Sequence, residues 1–193
     1  GADIVFFAVA SAAVRAVGVS VKDALDRNCV IVVVAKGLEG KSLETMVEVL
    51  QSALGAAFNN QITALSGPTL APEFAQKKQT AAMLASFKAN AYSQRAREAL
   101  VNDWFHIYET RDVMGVELGG VAKHALAMMA GVMDGLGIGS NARAWMLVEA
   151  FRDISRLIWK LGGAQETVYG LATMGDIFAT AFFKDSLRIA NAV

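Results

Sequence analysis

The sequence predicts an α/β fold, a parallel sheet followed by an all-helical part, and three observations predict it. Two apolar, β-branched runs at residues 4–9 and 30–34 flank a helix-length segment at 12–26. That is the pattern of a βαβ unit whose strands are buried on both faces. Strand-like runs then recur until about residue 110, and beyond residue 112 long helical patterns replace them. The division falls between 1–111 and 112–193, with no Pro/Ser-rich linker, so the two parts are expected to pack closely.

Each element has a local reason. After the second strand, residues 42–54 read as a helix, with Ser42 able to cap it and Thr45 where an acidic residue would complete a capping box. Residues 61–66 form a third strand that Gly67-Pro68 breaks. Residues 80–86 and 104–108 read as further strands around a helix near 89–101. Residues 113–134 form a tightly packed apolar helix, broken by Gly135-Leu136-Gly137-Ile138-Gly139, and residues 141–161 form the next. On that second helix Glu149, Arg152, Asp153, Arg156 and Lys160 share one face, at offsets of three, four, seven and eleven. So narrow a polar stripe predicts a helix buried on most sides, and Gly162-Gly163 ends it.

Composition narrows the function. The 193 residues are 54% hydrophobic and 19% charged, enough for a sizeable core and unlike a disordered chain. Lys plus Arg and Asp plus Glu each total 18. With no net charge and no basic run, nothing points to nucleic acid. The apolar stretch 113–139 is interrupted by Glu117, Lys123, His124 and Asp134, so no membrane span is expected. A single Cys29 at the start of an apolar run predicts a buried thiol and fits a reducing, cytoplasmic compartment. The chain opens on an apolar strand without an initiator Met or signal-peptide features, so it is expected to begin partway through a domain.

Chemistry is expected at the carboxyl ends of the parallel strands, where open sheets bind ligands. Those ends carry Ser11, then Lys36-Gly37, then Ser66-Gly67-Pro68-Thr69. Lys36 is placed at a crevice by topology alone, and Gly37 and Gly67 permit close backbone approach. Two nucleotide motifs fail. Gly37-Leu38-Glu39-Gly40-Lys41-Ser42 lacks the P-loop spacing, and Gly135-Leu136-Gly137 follows a helix rather than a strand. In the helical part, Lys123 is an ammonium among Gly, Ala and Met, and Asp176 is a lone carboxylate one turn from Thr180, with Thr173 nearby. Each needs a partner, and each suits the other. A structural ion pair and a functional site both fit that pairing. His106 reads as a half-buried strand residue, and His124 points about 100° around the helix from Lys123. No metal-ligand spacing and no Ser-His-Asp arrangement is present.

Taken together, these residues resemble the NAD(P)-dependent glycerol-3-phosphate dehydrogenases. Lys36-Gly37-Leu38-Glu39 is similar to that family's Lys-Gly-Ile-Glu, and Ser66-Gly67-Pro68-Thr69-Leu70-Ala71-Pro72-Glu73 to its Ser-Gly-Pro-Ser-x-Ala-x-Glu. Asp112-Val113-Met114-Gly115-Val116-Glu117-Leu118-Gly119-Gly120-Val121-Ala122-Lys123 matches its most distinctive segment, and Gly170-Leu171-Ala172 through Gly175-Asp176 follow in order. The resemblance implies a partial Rossmann-type domain followed by an all-α dehydrogenase domain, with the site between them. It implies hydride transfer between NAD or NADP and a small phosphorylated three-carbon substrate, by a homodimer. It assigns Lys123 as the catalytic acid–base and Asp176 as its orienting partner. Lys36, Gly67, Thr69, Thr180, Ser186 and Arg188 would bind substrate, and Ser11, Lys36 and Ala71 the cofactor. The departures from the family pattern that bear most on chemistry are these: His124 replaces Asn, Glu149 replaces Arg, and Ser186-Leu187-Arg188 displaces the usual Ser-Arg-Asn arginine by one residue. These departures leave a second reading, a non-catalytic or substrate-shifted relative that acts as a binding or assembly module.

Overall fold

Burial of the β-branched runs organises the first half of the molecule. The structure, a computed structural model, describes residues 1–181. Strands β1 (Ile4–Phe7), β2 (Val30–Val33), β3 (Ile62–Ser66), β4 (Thr80–Ala85) and β5 (Phe105–Thr110) form one sheet in chain order. β1, β2 and β3 are parallel, in register Ile4 to Val30 and Ile31 to Ile62. Successive β2 side chains alternate between two cores. Ile31 and Val33 pack with Val14, Met46 and Leu50 on one face, and Val30 and Val32 pack with Ala96 and Phe105 on the other. Helices α1 (Val14–Val21) and α2 (Met46–Leu54) thus cover one face and α4 (Ala91–Leu100) the other. Cys29 is buried, as its surroundings predicted, and burial pushes its thiol pKa up.

The sheet is not wholly parallel. β4 runs antiparallel to β3, pairing Ala64 with Ala85, and β5 then runs parallel to β4. The only helix between β3 and β4 is α3 (Ala71–Ala75). Five residues of helix rise about 7.5 Å, too little to carry the chain back along a strand, so it turns and returns beside β3.

Three sequence expectations change. Helix α2 starts at Met46, not residue 42, because Thr45 forms a complete capping box with Glu48. Leu43 has a φ of +59°, which no helix accommodates. The Ser42 hydroxyl instead donates to Glu39, and Arg15 holds both Glu39 and Glu44. His106 is exposed rather than half-buried, because its strand neighbours Phe105 and Ile107 take the inward positions.

The third change concerns the helical part: α5 (Val113–Gly135), α6 (Ser140–Lys160), α7 (Gln165–Val168), a π-helical turn at Leu171–Gly175, and α8 (Asp176–Ala181). The glycine break between α5 and α6 is present, with Gly137 at a φ of +66°. The charged stripe of α6 does face water, pairing Arg152 with Glu149 and Arg156 with Asp153. Yet α6 is not buried on most sides. Trp145 and Trp159 are 67% and 69% exposed, because among the described residues α6 packs chiefly on α5 and α7. No helix among the described residues is long and apolar enough to cross a membrane.

α5 is the central helix of this part. It contacts β3, α6, α7, α8 and the π-helical turn. Its N-cap Asp112 accepts from Gly115 N at 2.8 Å and from Ala164 N at 2.7 Å, so one carboxylate closes the helix start and holds the α6–α7 loop. Gly119 is where the π-helical turn comes closest: a Cβ there would lie 1.8 Å from Thr173 Oγ1. Gly119→Ala should therefore cost about 1–3 kcal/mol of unfolding free energy in urea titrations. Gly135→Ala, on the same helix but with open space around it, should be neutral or stabilising by about 0.5 kcal/mol.

Candidate active site

Asp176 defines the site because it cannot stand alone where it is. The side chain is 1% exposed, and an ionised carboxylate out of water needs cations or donors on both oxygens. Lys123 Nζ donates to Oδ1 at 2.8 Å, and Lys36 Nζ donates to Oδ2. The expected pairing of Lys123 with Asp176 is present, and Lys36 joins it as a third member. The lysine side chains are 19% (Lys36) and 13% (Lys123) exposed, so both ammoniums lie at the edge of solvent while the carboxylate lies beneath.

Each member comes from a different element. Lys36 follows the carboxyl end of β2, and its stem runs along α5, where a Cβ on Gly120 would sit 3.4 Å from its Cγ and Cδ. Lys123 lies one turn further along α5, on the face that carries Gly119 and Gly120. Asp176 opens α8 immediately after the π-helical turn, a local widening that often marks functional positions. The sheet, α5 and α8 thus converge where parallel strands end, as the topology predicted.

The electrostatics are unequal. Burial is the largest influence on Lys36 and lowers its pKa to about 8; Asp176 opposes this and the Lys123 charge adds to it. Two ammoniums share one carboxylate, which leaves one positive charge in a recess at the strand ends. Such a recess attracts an anion, and an ammonium there can stabilise or protonate an oxygen that gains negative charge.

The other expected residues divide. Gly67 has a φ of +155° and lies on β4, where a Cβ would approach Ala82 Cα to 2.9 Å, so a side chain is excluded. Thr69 turns back on it, its amide donating to Gly67 O at 2.8 Å and its hydroxyl at 3.3 Å. Pro68 lies near Gly175, which links this loop to the Asp176 turn. Ala71 starts α3 and is exposed. Ser11 lies against Gly37, whose Cβ would meet the Ser11 Cβ at 2.5 Å, so the loops after β1 and β2 touch. The Thr180 hydroxyl donates to the Asp176 carbonyl at 2.8 Å and steadies the first turn of α8. Ser186 and Arg188 lie outside the described residues. Ser66 Oγ, beside Gly120, is buried without a hydrogen-bond partner among the described residues. That orphaned hydroxyl, among close-set strand ends, is a polar group that a ligand atom could satisfy.

One residue near the site escaped the sequence reading. Glu117 is 8% exposed, and both its oxygens lie 3.1 Å from the amide of Val47, which donates from the first turn of α2. Burial raises its pKa to about 7, against the lowering effect of Thr45 and the α2 amides. The signal was a carboxylate within the most apolar stretch, which read only as an interruption of it.

Comparison with known proteins places the chain among its relatives. The model for the NAD-dependent glycerol-3-phosphate dehydrogenase N-terminus matches residues 1–92, and that for its C-terminus matches residues 112–190. The chain is 38% identical over 178 residues to the glycerol-3-phosphate dehydrogenase (NAD(P)+) of Thermoanaerobacter sp. (strain X514), covering 92% of this chain and 52% of that protein. It is 42% identical over 156 residues to the enzyme of that name from Solidesulfovibrio magneticus, covering 81% and 47%. The crystal structure of glycerol-3-phosphate dehydrogenase from Coxiella burnetii superposes with a TM-score of 0.87 at 35% identity, over 98% of this chain and 57% of that one. The chain spans about half the length of the curated relatives it matches.

The Glu117 carboxyl sets a pH dependence. Folded, it keeps its proton up to about 7; unfolded, it releases it near the ordinary 4.5. Between those values the folded state binds more protons, so rising pH favours unfolding. Relative to the parent protein, Glu117→Gln should gain up to about 1.4 kcal/mol of stability per pH unit across this window, and nothing further above it. Urea unfolding of both proteins at a series of pH values measures this.

Proposed function

This chain belongs to the NAD-dependent glycerol-3-phosphate dehydrogenase family, and we propose that it serves reversible hydride transfer between NAD(P)H and dihydroxyacetone phosphate, giving sn-glycerol 3-phosphate. The observation that carries this reading is the Lys36–Asp176–Lys123 triad at the carboxyl ends of the parallel strands. Residues 1–111 are the portion of the cofactor domain that this chain supplies, and residues 112–193 form the catalytic part. A nicotinamide dinucleotide, when bound, supplies or accepts the hydride at the substrate's central carbon. Ser11, Lys36 and Ala71 are the residues of this chain that would hold it.

The proton chemistry belongs to the protein. In the reducing direction the carbonyl C=O π bond breaks as hydride adds to carbon. The Lys123 ammonium gives its proton to the oxygen, and in the reverse direction the neutral amine takes it back. Lys36 stays beside the same oxygen as a cation and stabilises its developing charge. Asp176 accepts from both lysines, which aims them into one recess and offsets the repulsion between them. Gly67 and Thr69 shape the substrate side of the recess, with Thr180 behind Asp176. The positive charge left over suits the substrate phosphate, to which Ser186 and Arg188 would contribute. An assembly module would have no use for a costly pair of half-buried lysines on one buried carboxylate, so the catalytic reading is preferred. By the same reading the protein works as a cytoplasmic homodimer.

The test uses the full-length protein that contains this chain. NADH oxidation should depend on dihydroxyacetone phosphate, and Lys123→Ala should lower kcat/KM by about 10²–10⁴-fold with NADH binding retained. Absence of turnover by the parent protein would overturn the reading, and full activity in Lys123→Ala would remove the assigned role.

A further inference from the structure

Glu117 occupies a place that a hydrophobic residue would fill at lower cost. A buried carboxyl needs a reason, and none of the proton chemistry above uses it. Its contact is specific: it reaches from α5 across to α2 and accepts the Val47 amide, a donor near the helix start that has no partner within α2. Thr45 and Glu48 cap the same helix from within, so Glu117 is an additional cap supplied by a different element. It also shares the wall of a small cavity with Lys36, Ser66 and Gly120. The charged side chains that face it are Glu48 from α2, a like charge, and Lys36 from the end of β2, whose ion pair is with Asp176.

Val113 and Val116 seat the start of α5 against the strands, and beyond Glu117 that apolar packing gives way to small residues. Near the triad α5 meets the strand ends at Gly120, against Ser66 and the Lys36 stem, with little side chain to interlock. The triad's hydrogen bonds end on long, flexible lysine side chains that can follow a small shift of the helix, so they constrain the slide of α5 along the sheet less than a contact to backbone does. A hydrogen bond to a helix start is such a contact, and its distance and angle both matter. Glu117 and Lys123 are six residues apart on one rigid helix, about 9 Å of rise, so a displacement at one is carried to the other. We propose that Glu117 is a positioning residue for the Lys36–Asp176–Lys123 triad, fixing the register of α5 against the sheet by capping α2. The inference rests on the proposed function for its catalytic meaning, but its test does not require turnover.

In the full-length protein, trace acetylation with acetic anhydride across pH, read by mass spectrometry at Lys36, gives the midpoint of that amine's titration. Glu117→Gln keeps an acceptor for the Val47 amide and should not raise the midpoint, since the one further change, loss of a nearby negative charge, can only lower it. Glu117→Leu loses the cap. Glu117→Asp, shorter by one methylene, withdraws its carboxylate by about 1.5 Å. Both should admit water around Lys36 and raise its midpoint by roughly half a pH unit or more towards the ordinary lysine value. If Glu117→Leu does not fold, Glu117→Asp carries the comparison. An unchanged midpoint in the folded Asp and Leu variants would overturn the proposal, as would a Gln variant that behaves like Leu. A shift in the expected pattern, in a protein without dihydroxyacetone phosphate turnover, would support the positioning role and count against the dehydrogenase reading.

Discussion

One buried carboxylate holds the two halves of this molecule in a working relation. Asp176 accepts Lys36 from the sheet on one oxygen and Lys123 from the long helix on the other. Remove its charge, and two ammoniums face each other in a recess that excludes most water. Leave it in place, and the repulsion becomes a shared geometry, with both cations directed at one small volume. Because the carboxylate is more deeply buried than either lysine, the recess presents positive charge outward. That suits an anionic ligand.

Helix α5 makes that arrangement reachable. Its first two turns are buried almost all round, while further along a stripe through His124, Met128 and Val132 is exposed. Its glycines allow two neighbours to come very near. At Gly119 the π-helical turn that precedes Asp176 packs against the helix, and at Gly120 the Lys36 stem lies along it. Side chains at these positions would push Asp176 and Lys36 away from Lys123. The polar contacts lie at the margins of this close packing: Asp112 at the helix start, Glu117 over α2, and Lys123 at the recess.

Much of this was legible in the chain. The alternation of buried strand residues, the change to helices after Thr110, and the placement of Lys36 at a strand end all follow from periodicity and topology. Lys123 and Asp176 stood out because each was a lone charge in an apolar context, and lone buried charges find partners. The start of α2 was misplaced because capping strength depends on which of two hydroxyls the backbone can use, and Leu43 takes a left-handed conformation between them. The exposure of α6 was missed because an amphipathic pattern indicates which face is apolar, not what covers it.

By itself, the sequence determined the kinds of element, their order and the charged residues that could do chemistry, since these depend on periodicity and side-chain type. Only the tertiary structure decided that Lys36 and Lys123 share a single carboxylate, that β4 reverses direction, and that Glu117 caps a helix from which it is distant in the chain. Those outcomes depend on distances between elements, set by how closely backbones can pack. A one-dimensional pattern carries no measure of that.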